Sequence, residues 1–352
     1  MTVEYLGITS DQLTASNVED LNAIAIDGVA TTEKVAEGNL LGEWIRTTDA
    51  EGNTISENFA NNTKLEGFKG VNAAALVQWR NQVNHLTKRL GDVRQNVGAI
   101  GAWARVYGGE SKWGNTTSVG MTSTTIQVGA DTKTGDWIFG TAFSYTSSDV
   151  DLQNGNGDGD MYDLAVYGTK LFENGAYVDF TARYGYIQND LSAGNMNVDF
   201  DSHAFGLSAE VGHQFRFLKD AYVEPQIELA YGFASGDDVR ASNSVKIDQD
   251  KFQSFVARIG FRTGFDFPEE VGTIYAHVSY SYDFLGEADG TASADARHIS
   301  LDEDLGGGWV TYGIGAQFKL GQSTFAYGEL ERTSGGEVRN PYLFNVGCRW
   351  VF

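Results

Sequence analysis

Two groups of opposite charge are the side chains best placed to do work in this chain. Arg80, Lys88, Arg89 and Arg94 lie close together, four bases against one nearby acid, Asp92, for a net +3. Much later, Asp179, Glu210, Glu224 and Glu228 occur singly within runs that alternate apolar and polar side chains. In a low-dielectric enclosure such charges attract strongly enough to hold one element against another. Metal and nucleophile chemistry has less support. The five histidines, His85, His203, His213, His277 and His298, show no H-E-x-x-H spacing, and there is no G-x-S-x-G or Walker sequence. The stretch Asp149–Asp160 (DVDLQNGNGDGD) is rich in calcium-type ligands but misses the EF-hand spacing, and is expected to be a solvated turn between strands. No metal and no cofactor is expected.

The elements that must position these charges follow from periodicity. From about 72 to 96 there is no Pro and only one Gly, and Ala75, Trp79, Val83, Leu86, Leu90 and Val93 recur at three or four residues, which predicts a helix. At about 1.5 Å per residue it would be roughly 37 Å long, enough to cross the hydrocarbon core. From Ile100 to Phe352 the period changes to two, with Gly, Asn and Asp clusters between the runs. Between Ala176 and Ile187, for example, Val178, Phe180, Ala182, Tyr184 and Tyr186 oppose Tyr177, Asp179, Thr181, Arg183 and Gly185. Twelve such runs begin near residues 101, 121, 136, 160, 175, 203, 221, 252, 271, 308, 322 and 341. Many exceed the five or six residues usual in a soluble sandwich, and their aromatics fall toward the ends, as membrane girdles require. The expected fold is an all-β membrane protein, an antiparallel transmembrane β-barrel of about twelve strands with the N-terminal helix threaded through its pore. The helix bases and the acids Asp179, Glu210, Glu224 and Glu228 would then face one another in the lumen. The plain alternative for Asp179, Glu210 and Glu228 is that they are lumen-facing residues balancing Arg183, Arg216 and Arg258.

Composition agrees with this and excludes other classes. A net charge of -22 over 352 residues argues against nucleic acid, which needs clustered bases. A single cysteine, Cys348, offers no internal disulfide. No run approaches the roughly 18 apolar residues of a membrane helix, which says nothing about barrel strands. The N-terminus MTVEYLGITS has neither a charged nor an apolar leader segment, so an export signal is expected upstream of it. Residues 1 to about 70 show no assignable element, and β-helix rungs or a linker would both fit.

Several segments resemble one family. Val83-Asn84-His85-Leu86-Thr87-Lys88-Arg89-Leu90-Gly91-Asp92-Val93-Arg94, followed by Gly101-Ala102-Trp103-Ala104-Arg105, is similar to the junction of pore helix and first strand in autotransporters (type V secretion), above all the serine-protease autotransporters of enterobacteria. Gln127–Asp131, Gly175–Asp179, Ala209–Gly212 and Glu224–Leu229 resemble barrel segments of that family. The alternation Tyr342, Phe344, Val346, Cys348, Trp350 and terminal Phe352 resembles the signal that outer-membrane proteins present to the barrel assembly machinery.

The resemblance implies three regions: 1–71 the tail of a passenger or linker, 72–98 the pore helix, and 99–352 the translocator barrel. It implies residence in the bacterial outer membrane, dealings with lipid, periplasmic chaperones and the assembly machinery, and a monomer that exports its own passenger. It further implies single-turnover self-cleavage between Asn84 and His85 by cyclisation of Asn84, assisted by Asp179, Glu210 and Glu228. His85 departs from the family, which has a second Asn there, and this change leaves the attacking group intact. An uncleaved adhesin-type anchor, a general porin or outer-membrane enzyme, and a soluble binding protein are the competing expectations.

Overall fold

The computed structural model describes residues 31–36, 42–48, 54–61, 73–82, 88, 100–114, 118–152, 155–193, 196–242, 244–294 and 297–352. Twelve long strands form the body: β1 (Ile100–Trp113), β2 (Val119–Thr134), β3 (Trp137–Leu152), β4 (Gly155–Leu171), β5 (Ala176–Ala193), β6 (Met196–His213), β7 (Ala221–Ala234), β8 (Phe252–Asp266), β9 (Gly272–Asp283), β10 (Gly307–Lys319), β11 (Thr324–Ser334) and β12 (Arg339–Val351). Each pairs antiparallel with the next, and β12 returns to β1 with Val346 opposite Val106, so every barrel strand is bonded on both sides. Closure satisfies the backbone groups that an open edge would leave bare in lipid.

Side-chain placement inverts that of a soluble protein. Leu164 (55% exposed), Ile227 (53%), Ile314 (64%) and their counterparts on each strand point outward. Arg105, Gln127, Asp163, Glu224 and Arg262 are buried inward. A sandwich would bury the apolar faces between its sheets, so the soluble alternative fails on this observation. Exposed aromatics ring both ends, with Tyr145, Tyr162 and Tyr184 at one and Phe139, Phe172 and Phe265 at the other. From Tyr162 to Phe172 is ten residues. At about 3.3 Å per residue and a tilt of about 40°, that spans roughly 25 Å, the height of a barrel's apolar band.

The two ends differ. At one, turns are short: Gly135, at φ +62°, and Asp136 close the β2–β3 hairpin between Thr134 and Trp137. At the other, the loops after β7 and β9 carry short strands Asp238–Arg240, Lys246–Gln249, Gly290–Ala294 and Arg297–Ser300, which join as a four-stranded sheet. Val245, Ile247, Ala292, Leu301 and Leu305 from these loops belong to the same buried apolar cluster as Ala73–Val77. The loops therefore lid the barrel at that end.

Inside, six aromatics pack on glycines of the neighbouring strand. Trp103, Tyr167, Tyr177, Tyr222, Tyr275 and Tyr327 lie directly opposite Gly129, Gly140, Gly212, Gly264, Gly315 and Gly347. A Cβ on any of these glycines would lie 2.3–2.5 Å from the ring. The absence of a side chain is what lets each ring lie flat across its neighbour.

Two sequence expectations need correction. Asp149–Leu152 and Gly155–Asp160 are strand rather than turn: β3 runs to Leu152 and β4 begins at Gly155, with Asp149 directly opposite Asp158. β4 thus starts earlier than 160, and β6 starts at Met196 rather than near 203. Sheet pairing overrides the weak strand propensity of Gly, Asn and Asp there. Within residues 1–71, three strands, Thr31–Ala36, Gly42–Thr48 and Thr54–Asn61, form an antiparallel meander. The rungs of a β-helix would stack in parallel.

Candidate functional site

The described helix, α1 (Ala74–Arg80), lies within the barrel, because its neighbours come from strands all around the wall. Gln78 donates to Ser148 on β3 (3.2 Å), and Asn81 donates to Ser111 on β1 (2.7 Å). Arg80 donates to the Leu305 carbonyl (2.8 Å) and to Asp283 at the end of β9 (3.5 Å), and lies over Trp309 on β10. Lys88 pairs with Glu331 and Glu329 (3.7 Å) on β11, and its carbonyl accepts from Asn345 on β12 (3.0 Å). The pore segment is thus held by polar contacts in the middle and by the apolar lid cluster at its N-terminal end.

Trp79 is the main anchor. Its indole fills a slot left by Gly185, Gly206 and Gly232 on three successive strands, where an added Cβ would lie 2.6, 3.1 and 2.7 Å from it. Arg183 stacks on the other face at 4.0 Å. The same guanidinium donates to the Gln82 carbonyl (2.7 Å) and the Trp79 carbonyl (3.2 Å). It therefore satisfies acceptors that a helix end exposes, a cap supplied by the barrel wall. Gln82 turns into the wall, donating to Thr146 (2.9 Å) and accepting from Tyr107. These contacts explain why the helix expected over 72–98 closes after Arg80, with Asn81 as its C-cap. Lys88 is helical again.

Below this lies an acidic row. Asp179, Glu210 and Glu228 are directly opposite one another on β5, β6 and β7, and Arg258 on β8 is opposite Glu228. Arg258 donates to Glu228 (2.9 Å), Glu210 (3.0 Å) and Gln226 (3.2 Å). Tyr177 donates to Glu210, and Thr169 to Asp179. Glu224 is held by both oxygens, 3.1 Å each, on Arg262. Of the three arginines weighed as balance, only Arg258 serves these acids directly through hydrogen bonds. Arg183 serves the helix, and Arg216 pairs with Asp266 (2.6 Å) beside the short turns.

Asn84, His85, Arg89 and Arg94 lie outside the described residues. On β12, Tyr342, Val346 and Trp350 point outward, Phe344 is half-buried, and terminal Phe352 bonds through its backbone to Ile100 on β1. Sequence reasoning missed two features. Arg349 clasps Asp131 with two bonds (2.6 and 2.7 Å), tying β12 to β2 across Gly101 of β1. His277, Glu329 and Glu331 converge on the wall beside Lys88. Neither leaves a local signal, since partners on different strands are far apart in sequence.

Residues 102–331 match the model of the autotransporter β-domain. The chain is 30% identical over 286 residues to the serine protease pet autotransporter of Escherichia coli O44:H18, covering 77% of this chain and 22% of that protein. It is 28% identical over 328 residues to protein YaiT of Salmonella typhimurium, covering 89% of this chain and 33% of that one. It spans about a third or less of the length of either relative. Among solved structures it shares the fold of the translocator domain of NalP from Neisseria meningitidis, with a TM-score of 0.66 and 14% identity over 82% of this chain and 99% of that one. With its closed barrel, lipid-facing apolar band and occupied lumen, the chain belongs to the autotransporter β-domain family and resides in the bacterial outer membrane.

Proposed function

We propose that the barrel exports an N-terminal passenger through the outer membrane and then cuts itself free of it between Asn84 and His85. Residues 1–71 would be passenger tail or linker, 72–98 the pore segment and 99–352 the translocator. Export precedes α1's present position, since a lumen filled by Trp79 and lidded by loops leaves no path for a second chain. The C-terminal strand carries the signal read by the barrel assembly machinery, chaperones escort the unfolded chain, and the barrel works as a monomer.

For scission, the Asn84 amide nitrogen attacks its own backbone carbonyl carbon. A succinimide forms, the nitrogen gives up a proton, and the His85 nitrogen leaves with one. The amide is a poor nucleophile, so a carboxylate or polarised water must accept that proton, and the geometry must be held by the wall. The observation that carries this reading is the row Asp179, Glu210, Glu228 on three adjacent strands of the lumen. Above it, Arg183 holds the chain at Gln82, two residues before Asn84.

Intact mass spectrometry of membrane-extracted protein tests this. Fragments 1–84 and 85–352 are expected, with one uncut species for Asn84→Asp. A single uncut mass for the unaltered chain refutes it. The second reading, an uncleaved anchor, draws on the bonds of Arg258 to both Glu210 and Glu228, which give those acids a purely charge-balancing role.

A further inference from the structure

We propose that the lumen wall carries a divalent-metal site built from His277, Glu329 and Glu331. His277 is on β9 and the two glutamates are on β11, with β10 between them. Gly313 on β10 is directly opposite His277 on one side and Glu331 on the other. A Cβ there would lie 2.6 Å from His277 Nε2 and 2.8 Å from Glu331 Cγ. Serine or threonine would keep the wall polar but force the imidazole and carboxylate apart, whereas glycine lets them meet across the middle strand.

The donors are arranged as a cation needs. His277 Nε2 is 3.2 Å from Glu331 Oε1 and 3.8 Å from Glu329 Oε2. One ligand atom from each of the three residues lies within 4.8 Å of the others. A tetrahedral ion with bonds of about 2.0–2.2 Å separates its ligands by roughly 3.3–3.6 Å, so small side-chain adjustments complete the site. One imidazole and two carboxylates, open to the lumen for water, suit Zn²⁺ or Co²⁺ better than Ca²⁺, which prefers more oxygens. The Tyr275 hydroxyl, reaching across Gly315 on the same middle strand, donates to Glu329 Oε2 at 2.8 Å and orients it.

Lys88 reaches the same glutamates from the pore segment, but by their other oxygens, Glu331 Oε2 and Glu329 Oε1. Its ammonium and a metal therefore share carboxylates without sharing an oxygen. Two cations so close repel, so Lys88 weakens the metal and removing its charge tightens it. The site does not require scission at Asn84.

The test is titration of the full chain, stripped with chelator in detergent, with Zn²⁺ by calorimetry and with Co²⁺ by visible absorption. One ion per chain is expected, with affinity about tenfold or more weaker in His277→Gln and in Glu331→Gln, and about tenfold tighter in Lys88→Met. No binding at millimolar metal by both the unaltered chain and Lys88→Met, or binding unmoved by His277→Gln and Glu331→Gln, overturns the proposal. Should a variant fail to refold, crystals of the unaltered chain soaked in Zn²⁺ decide. An anomalous peak between the three side chains supports the site, and its absence refutes it.

Discussion

Replacing Trp79 with alanine should undock α1 from the lumen while leaving the barrel intact. The indole is 2% exposed and is enclosed by three glycines and the Arg183 guanidinium. Truncating a buried tryptophan costs about 3–5 kcal/mol, because glycines in a hydrogen-bonded sheet cannot collapse into the hole. At about 1.4 kcal/mol per factor of ten, the undocked population should rise by roughly two to three and a half orders of magnitude. Hydrogen exchange of the Ala74–Arg80 amides reads this directly in the refolded full chain carrying Asn84→Asp, which keeps α1 joined to the barrel, and those amides should exchange faster by that factor. Single-channel recordings should show more frequent open events. Gly185→Ala, whose Cβ would lie 2.6 Å from the indole, should produce a weaker version of the same change, costing about 1–3 kcal/mol. If the α1 amides exchange within about tenfold of the unaltered rate in Trp79→Ala, the glycine slot is not what holds the helix.

Gly264→Ala should lower barrel stability by about 1–3 kcal/mol through its clash with Tyr222, and Tyr222→Ala in the same chain should recover part of it; urea unfolding in liposomes measures both, and no recovery would discount the ring-on-glycine packing. Val166→Arg, on the lipid face near the middle of the apolar band, should cost about 2–4 kcal/mol in the same assay, and a negligible change would contradict the outward orientation. The Asp289 carboxyl, in the lid loops, is raised above the usual carboxylate value by partial burial and then by Asp302, Glu287, Asp250 and Asp304. A carboxyl raised in the folded state favours that state below its ordinary value near about 4 and loses the advantage as pH climbs through the raised one. The protection factors of the lid-strand amides, each taken against the intrinsic exchange rate at that pH, should therefore fall over that window in the unaltered chain and fall less in Asp289→Asn, and identical profiles would dismiss the effect.

Much of the barrel could be read without coordinates because one physical constraint acts on every strand. Lipid outside and water or protein inside force a period of two, and that period depends only on neighbouring residues. Hence the strand number, the inward turn of Asp179, Glu210 and Glu228, and the outward turn of Tyr342, Val346 and Trp350 follow from pattern alone. The pattern failed where composition misled. Asp149–Asp160 has the residues of a turn, yet partners across β3 and β4 draw Asp149–Leu152 and Gly155–Asp160 into the sheet. The periodic stripe after Arg80 also promised an uninterrupted helix, which Arg183 and Gln82 interrupt.

The sequence by itself determined the class of fold and which faces are polar, since these depend on local alternation and on composition, and its family resemblance pointed to the outer membrane. Only the tertiary structure decided register: which carboxylate faces which arginine, which glycine receives Trp79, and that His277 meets Glu331 over Gly313. Register is set by hydrogen bonding between strands distant in the chain, and a shift of one residue would turn every such side chain to the opposite face.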